Sequence, residues 1–146
     1  MTIIDTSALL ALYVPGRLSD FVRREIGRIK EGRGECYVLD LVFYEFTNAV
    51  RKLVVRGLLS EEEGRRVVSA GLSFIEQCKV VNGRGLAMEA YELSLRYSLT
   101  TYDASLIALA RRLNDVVLTT DERLLRSVRD NLEISRYFVF PDTTSA

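Results

Sequence analysis

The sequence contains no histidine. That absence excludes Ser-His and Cys-His nucleophilic pairs, imidazole acid-base catalysis and histidine-ligated zinc. Tryptophan is also missing, and there are only two cysteines, too few to complete a structural zinc site. Any metal must therefore be held mainly by oxygen, which points to Mg²⁺ or Mn²⁺. Net charge is absent too: 20 basic residues balance 20 acidic ones. The chain cannot grip nucleic acid by overall charge, although a local basic rim remains compatible with neutrality. No apolar run approaches the roughly 18 residues of a membrane span. The opening MTIIDTSALLALYVPG lacks a basic leader and carries an acid at Asp5, unlike a signal peptide. These features predict a soluble, cytoplasmic protein. With only two prolines and nine glycines, little interrupts regular structure.

What is present is apolar and periodic. Hydrophobic residues make up 48% of the 146, enough for the core of one domain spanning residues 1–146. Short apolar runs alternate with longer helix-period stretches. Thr2 to Ile4, Cys36 to Leu39, Cys78 to Val81, Val116 to Leu118 and Tyr137 to Phe140 read as strands. Helices are expected from Ser7 to Tyr13, Leu18 to Lys30, Leu41 to Arg56, Ser60 to Gln77, Gly85 to Tyr97 and Tyr102 to Leu113. Ser60 with Glu63, and Thr119 with Glu122, fit capping boxes; the second opens a short helix to about Val128. Alternating strands and helices predict an α/β fold with a parallel sheet of four to five strands. In such sheets ligands bind beyond the carboxyl ends of the strands.

Four acids stand out against that frame. Asp5 follows the first strand, and Asp121 follows the fourth after two threonines. Asp103 lies in the first turn of its helix, and Glu45 lies inside the apolar helix LVFYEFTNAV. Each has a plainer reading. Asp5 with Thr6 and Ser7 fits a helix cap, Asp103 and Asp121 suit helix N-termini, and Glu45 fits the solvated margin of its helix. As a group they are harder to dismiss. Two unpaired carboxylates about 4 Å apart repel by roughly 4 kcal/mol at an effective dielectric near 20. A cluster is tenable with bound cations or raised pKa values, and cations turn it into a device for phosphodiester hydrolysis.

The segments IIDTSALLAL, YEFTNAV, YDASLIALA and LTTDERLL resemble, in order and spacing, the PIN domain ribonucleases, and most closely the VapC-type toxins of toxin-antitoxin pairs. The resemblance covers nearly the whole chain. It implies a three-layer α/β/α sandwich and a metal-dependent endoribonuclease acting on single-stranded or structured RNA, leaving 5′-phosphate and 3′-hydroxyl ends. It assigns Asp5, Glu45, Asp103 and Asp121 as catalytic and metal-binding residues with Mg²⁺ or Mn²⁺, and Thr6, Ser7 and Thr119 as supporting hydroxyls. It further implies a homodimer restrained by an antitoxin protein. A PIN-fold RNA-processing factor or a non-catalytic RNA-binding scaffold is the alternative. An aspartyl-phosphate phosphatase fits poorly, since Ser7 stands where its second acid belongs, and no basic helix supports a DNA-binding regulator. Cys36 and Cys78 fall in the second and third strands. Free buried thiols are the expectation, because intracellular disulfides are rare outside hyperthermophiles, with a disulfide as the alternative if those strands are neighbours.

Overall fold

A computed structural model describes residues 1–142. Four parallel strands, β1 (Thr2–Ile4), β2 (Cys36–Leu39), β3 (Lys79–Val81) and β4 (Val116–Leu118), form a sheet in the order β3-β2-β1-β4. Ile3 pairs with Tyr37 on one side and Val117 on the other; Val38 pairs with Val80. Side chains alternate across such a sheet. Ile4, Val38 and Leu118 therefore face one way, into a core with Phe46, Val50 and Ile75. Ile3, Leu39 and Val117 face the other, into a core with Ile107, Leu109 and Leu124.

The helices divide accordingly. α1 (Thr6–Tyr13), α2 (Ser19–Glu31), α3 (Val42–Val55) and α4 (Glu61–Glu76) pack on the first face. α5 (Ala87–Tyr97), α6 (Thr101–Leu113), α7 (Glu122–Arg129) and α8 (Leu132–Ser135) pack on the second. The result is the expected α/β/α sandwich. Helix starts follow their caps: the Ser60–Glu63 capping box opens α4, and Thr100 accepts the Asp103 N–H at the start of α6. Where the α5 helix is expected from Gly85, the chain first makes a 3-10 turn over Gly83–Leu86, capped by Asn82.

Three expectations are corrected. Tyr137 to Phe140 is no strand: Phe138 makes a single parallel bridge to Val117, and α8 stands just before it. Val117 donates to the Tyr137 carbonyl and accepts from the Val139 N–H, and the pairing extends no further along β4 among the described residues. The α7 cap is Asp121, whose carboxylate accepts from the N–H groups of Arg123 and Leu124; the Thr119–Glu122 capping box does not form, because the Thr119 hydroxyl is turned towards Asp5. Finally, Cys36 and Cys78 are joined in a disulfide. β2 and β3 are neighbours, and the two Cα atoms stand 4.8 Å apart, within reach of one bond.

Candidate active site

The strand order places a topological switch at β1, which leads the chain to β2 on one side and receives β4 on the other. Both β1 and β4 end on the same edge, so Asp5 and the Thr119–Asp121 segment meet there. Asp5 caps α1. Its Oδ1 accepts the Thr6 N–H at 2.8 Å, while Oδ2 accepts the Thr119 hydroxyl at 2.7 Å and the Ser7 hydroxyl at 3.0 Å. Ser7 Oγ lies 2.9 Å from Thr119 Oγ1 and accepts the Thr120 N–H. Thr119 Oγ1 in turn accepts the Asp121 N–H at 3.1 Å. Thr119 is wholly buried. Two strands 114 residues apart are thus tied by a hydroxyl network that fixes one carboxylate. Of the supporting residues, Ser7 and Thr119 reach Asp5 through their side chains, and Thr6 through its backbone.

A small cleft opens beside this network. Asp5, Glu45 and Asp103 line it, together with Thr6, Leu41, Tyr102 and Ser105, and its floor is apolar Ile4, Leu39, Val42 and Leu106. Glu45 arrives there because Val42, Phe46 and Val50 bury the inner stripe of α3 and leave the next position along the helix at the cleft margin. Asp103 arrives because Thr100 starts α6 at the same edge. Asp121 does not line the cleft. It stands behind Asp103, with one oxygen committed to the α7 cap.

The carboxylates are short of positive charge. Burial raises the Asp5 pKa most strongly against its lowering hydrogen bonds, with a smaller push from Asp103. Glu45, open to solvent on one side, is raised first by the desolvation of its other side and then by Asp5 and Asp103. Asp103 is raised by desolvation and by Asp121, against the Thr100 hydrogen bond and Arg123. Arg123 lies 3.6 Å from Asp103 Oδ2 and 3.9 Å from Asp121 Oδ2.

The family model of the PIN domain matches residues 2–130. The chain belongs to the PIN domain family. Ribonuclease VapC3 of Pyrobaculum aerophilum is 34% identical over 122 residues, 84% of this chain and 90% of that one. Ribonuclease VapC9 of Mycobacterium tuberculosis is 32% identical over 126 residues, 85% of this chain and 88% of that one. Among solved structures, PAE2754 from Pyrobaculum aerophilum superposes with a TM-score of 0.64 at 27% identity, covering 86% of this chain and 78% of that one.

As a PIN domain, the chain invites the question whether its acids fit a divalent ion. The donor set does: three carboxylates on one cleft, each held towards protonation, form a place where a hard cation relieves both desolvation and repulsion. The spacing adds a qualification. Among the described residues, no three acidic or thiol side chains converge closely enough to ligate one ion together. This suits an ion such as Mg²⁺ that keeps several waters and touches one or two carboxylates directly. Arg123 and Tyr102 at this PIN site escaped sequence reasoning. Their signal was adjacency alone: Tyr102 precedes Asp103, and Arg123 follows Asp121 by two.

Proposed function

We propose that this PIN domain is a Mg²⁺- or Mn²⁺-dependent endoribonuclease, the toxin of a toxin-antitoxin pair. One observation carries the reading: Asp5, Glu45 and Asp103, from three separate segments, line one cleft at the carboxyl edge of the sheet, with Arg123 beside Asp103 as the one cation paired to them among the described residues. Relatives named ribonucleases at 32–34% identity support the same chemistry.

In this reading one or two of Asp5, Glu45 and Asp103 would touch the ion directly and the others would hold its waters, with Asp121 acting through water. The ion, when bound, supplies charge neutralisation at the scissile phosphate and a water acidic enough to attack it. The protein's own part is positioning. Ser7 and Thr119 keep the Asp5 carboxylate in one rotamer and orient its lone pairs to the cleft. The apolar floor keeps bulk water from one side of the site, which strengthens every charge interaction above it.

The biological partners follow the relatives' names and one surface. An apolar groove of about 530 Å³ runs between α3 and α4, lined by Val50, Val54, Val55, Val68 and Leu72. Such a groove suits an apolar helix face, supplied by an antitoxin or by a second copy in a homodimer.

The test is cleavage of a single-stranded RNA with Mn²⁺, with and without chelator. Metal-dependent cutting that Asp5→Asn and Asp103→Asn each reduce at least about 100-fold, with the fold intact by circular dichroism, is expected. Cutting indifferent to chelator and to both substitutions rejects the mechanism.

A further inference from the structure

Two features, one on the cleft and one beside Asp103, are not used by hydrolysis through the acids alone. Tyr102 lines the cleft and is 63% exposed. Its backbone carbonyl accepts the Ser105 hydroxyl, which anchors the first turn of α6 beneath it. Arg123, its side chain 70% exposed, makes the only ion pairs to the four acids among the described residues. Those contacts, at 3.6 and 3.9 Å, are too long for hydrogen bonds, so its outward N–H donors stay free. Arg17, which lines a separate pocket with Thr120, is engaged by Glu122.

The chemistry of the site makes both features necessary. An RNA phosphate entering a cleft of carboxylates meets repulsion, and the chain as a whole is neutral. A guanidinium beside the acids is the one local group that draws a phosphate in, and its planar fork suits phosphate oxygens. An exposed tyrosine at the same place offers a flat face on which an unpaired base stacks.

We propose that Tyr102 and Arg123, both adjoining Asp103, form a one-nucleotide subsite that takes an unpaired nucleotide, its phosphate on Arg123 and its base on the Tyr102 ring. The proposal rests on the nuclease reading and deepens it: the substrate is single-stranded RNA or a looped-out base, because a base stacked in a duplex cannot reach the ring.

The test is binding of a short, unstructured, dye-labelled RNA to the full chain, read by fluorescence anisotropy in chelator across a range of KCl. Arg123→Ala is expected to weaken binding about fivefold at low salt and to flatten the dependence of log Kd on log salt by about 0.7, the signature of one lost phosphate contact on a single strand. Arg123→Lys keeps the charge and restores the slope. Tyr102→Ala is expected to weaken binding at least about fivefold with the slope unchanged, and Tyr102→Phe restores it. Annealing the RNA to its complement removes the Tyr102 effect and leaves that of Arg123.

An unchanged slope in Arg123→Ala overturns the assignment. So does a Tyr102→Ala variant that binds single strands normally, as a tyrosine serving a protein partner would, or that loses equally on the duplex. Wild-type chain that binds no RNA overturns it too. Cleavage of the same RNA with Mn²⁺ separates the two readings. A chain that shows these binding signatures and does not cut keeps the subsite and loses the nuclease; a chain that cuts while both variants are silent does the reverse.

Discussion

At the scale of single residues, the site illustrates how function and stability oppose each other. Glu45 accepts no side-chain hydrogen bond among the described residues, and burial and two neighbouring acids push its pKa up. Its charge is a cost to the fold that nothing nearby offsets. Glu45→Gln removes that cost and loses no partner. The side chain is partly solvated, so the gain is discounted to well under 1 kcal/mol, or roughly 1–2 °C in melting temperature for a chain of this size. The variant should melt higher in chelator while its Mn²⁺-dependent cleavage falls at least about 100-fold. A variant that melts lower shows that Glu45 has a stabilising partner.

Asp5 differs from Glu45 in being held. Three donors converge on its carboxylate, two of them from the Ser7–Thr119 hydroxyl pair. Thr119→Val removes one donor, strands the Asp121 N–H and leaves Asp5 held by Thr6 and Ser7 alone. A loss of about 1–3 kcal/mol in unfolding free energy, read by urea titration, is expected, together with a fall in kcat. Thr119→Ser should recover most of both.

At the scale of elements, α3 is the part that sets the position of Glu45, and α4 sets the position of α3. The closest approach is at Gly71, where an added Cβ would lie 2.1 Å from the Phe46 ring. Phe46 is wholly buried and directly follows Glu45. Gly71→Ala must therefore push Phe46, and α3 with it. Overpacking of this kind costs about 1–3 kcal/mol, and the shift of α3 should lower cleavage about tenfold by moving Glu45. An active, fully stable Gly71→Ala variant would mean that the two helices separate without cost. The same two helices lie within the 42-residue span closed by the Cys36–Cys78 disulfide. Loop-closure entropy assigns that bond up to about 4 kcal/mol. Reduction, or replacement of both cysteines by alanine, should lower the urea midpoint by that order.

Which elements were legible depended on where their information resides. β1, β2 and β4 are short and apolar, and each is bounded by a cap or polar turn, so local pattern sufficed. The α4 start was legible because Ser60 and Glu63 satisfy each other within four residues. Thr119 misled for the opposite reason: its hydroxyl has a partner 114 residues away, which no local pattern contains. The Tyr137–Phe140 strand failed because its apolar run reaches β4 but hydrogen-bonds there to Val117 alone, a pairing length that the local pattern does not contain. The disulfide hinged on strand adjacency, a property of topology. In the candidate site, order and spacing named the four acids, whereas the place of Asp121 outside the cleft lining and of Arg123 beside Asp103 emerged only when β1, β4 and α6 were brought to one edge.

At the scale of the whole molecule, the acids make stability a function of protons, and the proposed ion would couple it to metal as well. In chelator, Asp5, Glu45 and Asp103 all titrate above their unfolded values, which begin at 3.8 for aspartate and 4.5 for glutamate. Between the unfolded and native pKa values the native chain binds more protons than the unfolded one. Stability from these groups is therefore present in acid and falls as pH rises through their native pKa values, then levels. A divalent ion held as proposed would reverse that trend. It would bind the ionised carboxylates of the native site, so its affinity would grow as the same protons leave, and its stabilisation would follow RT ln(1 + [L]/Kd). At a hundredfold excess over Kd that amounts to about 2.7 kcal/mol, or roughly 8 °C at this chain length. Melting curves followed upward from the unfolded carboxylate pKa values should therefore fall and then level in chelator and rise in Mn²⁺, diverging most above the native pKa values. Parallel curves would mean that the ion does not bind through these three carboxylates. Glu45→Gln should narrow the divergence from both sides, since it removes a proton site from one curve and a ligand from the other.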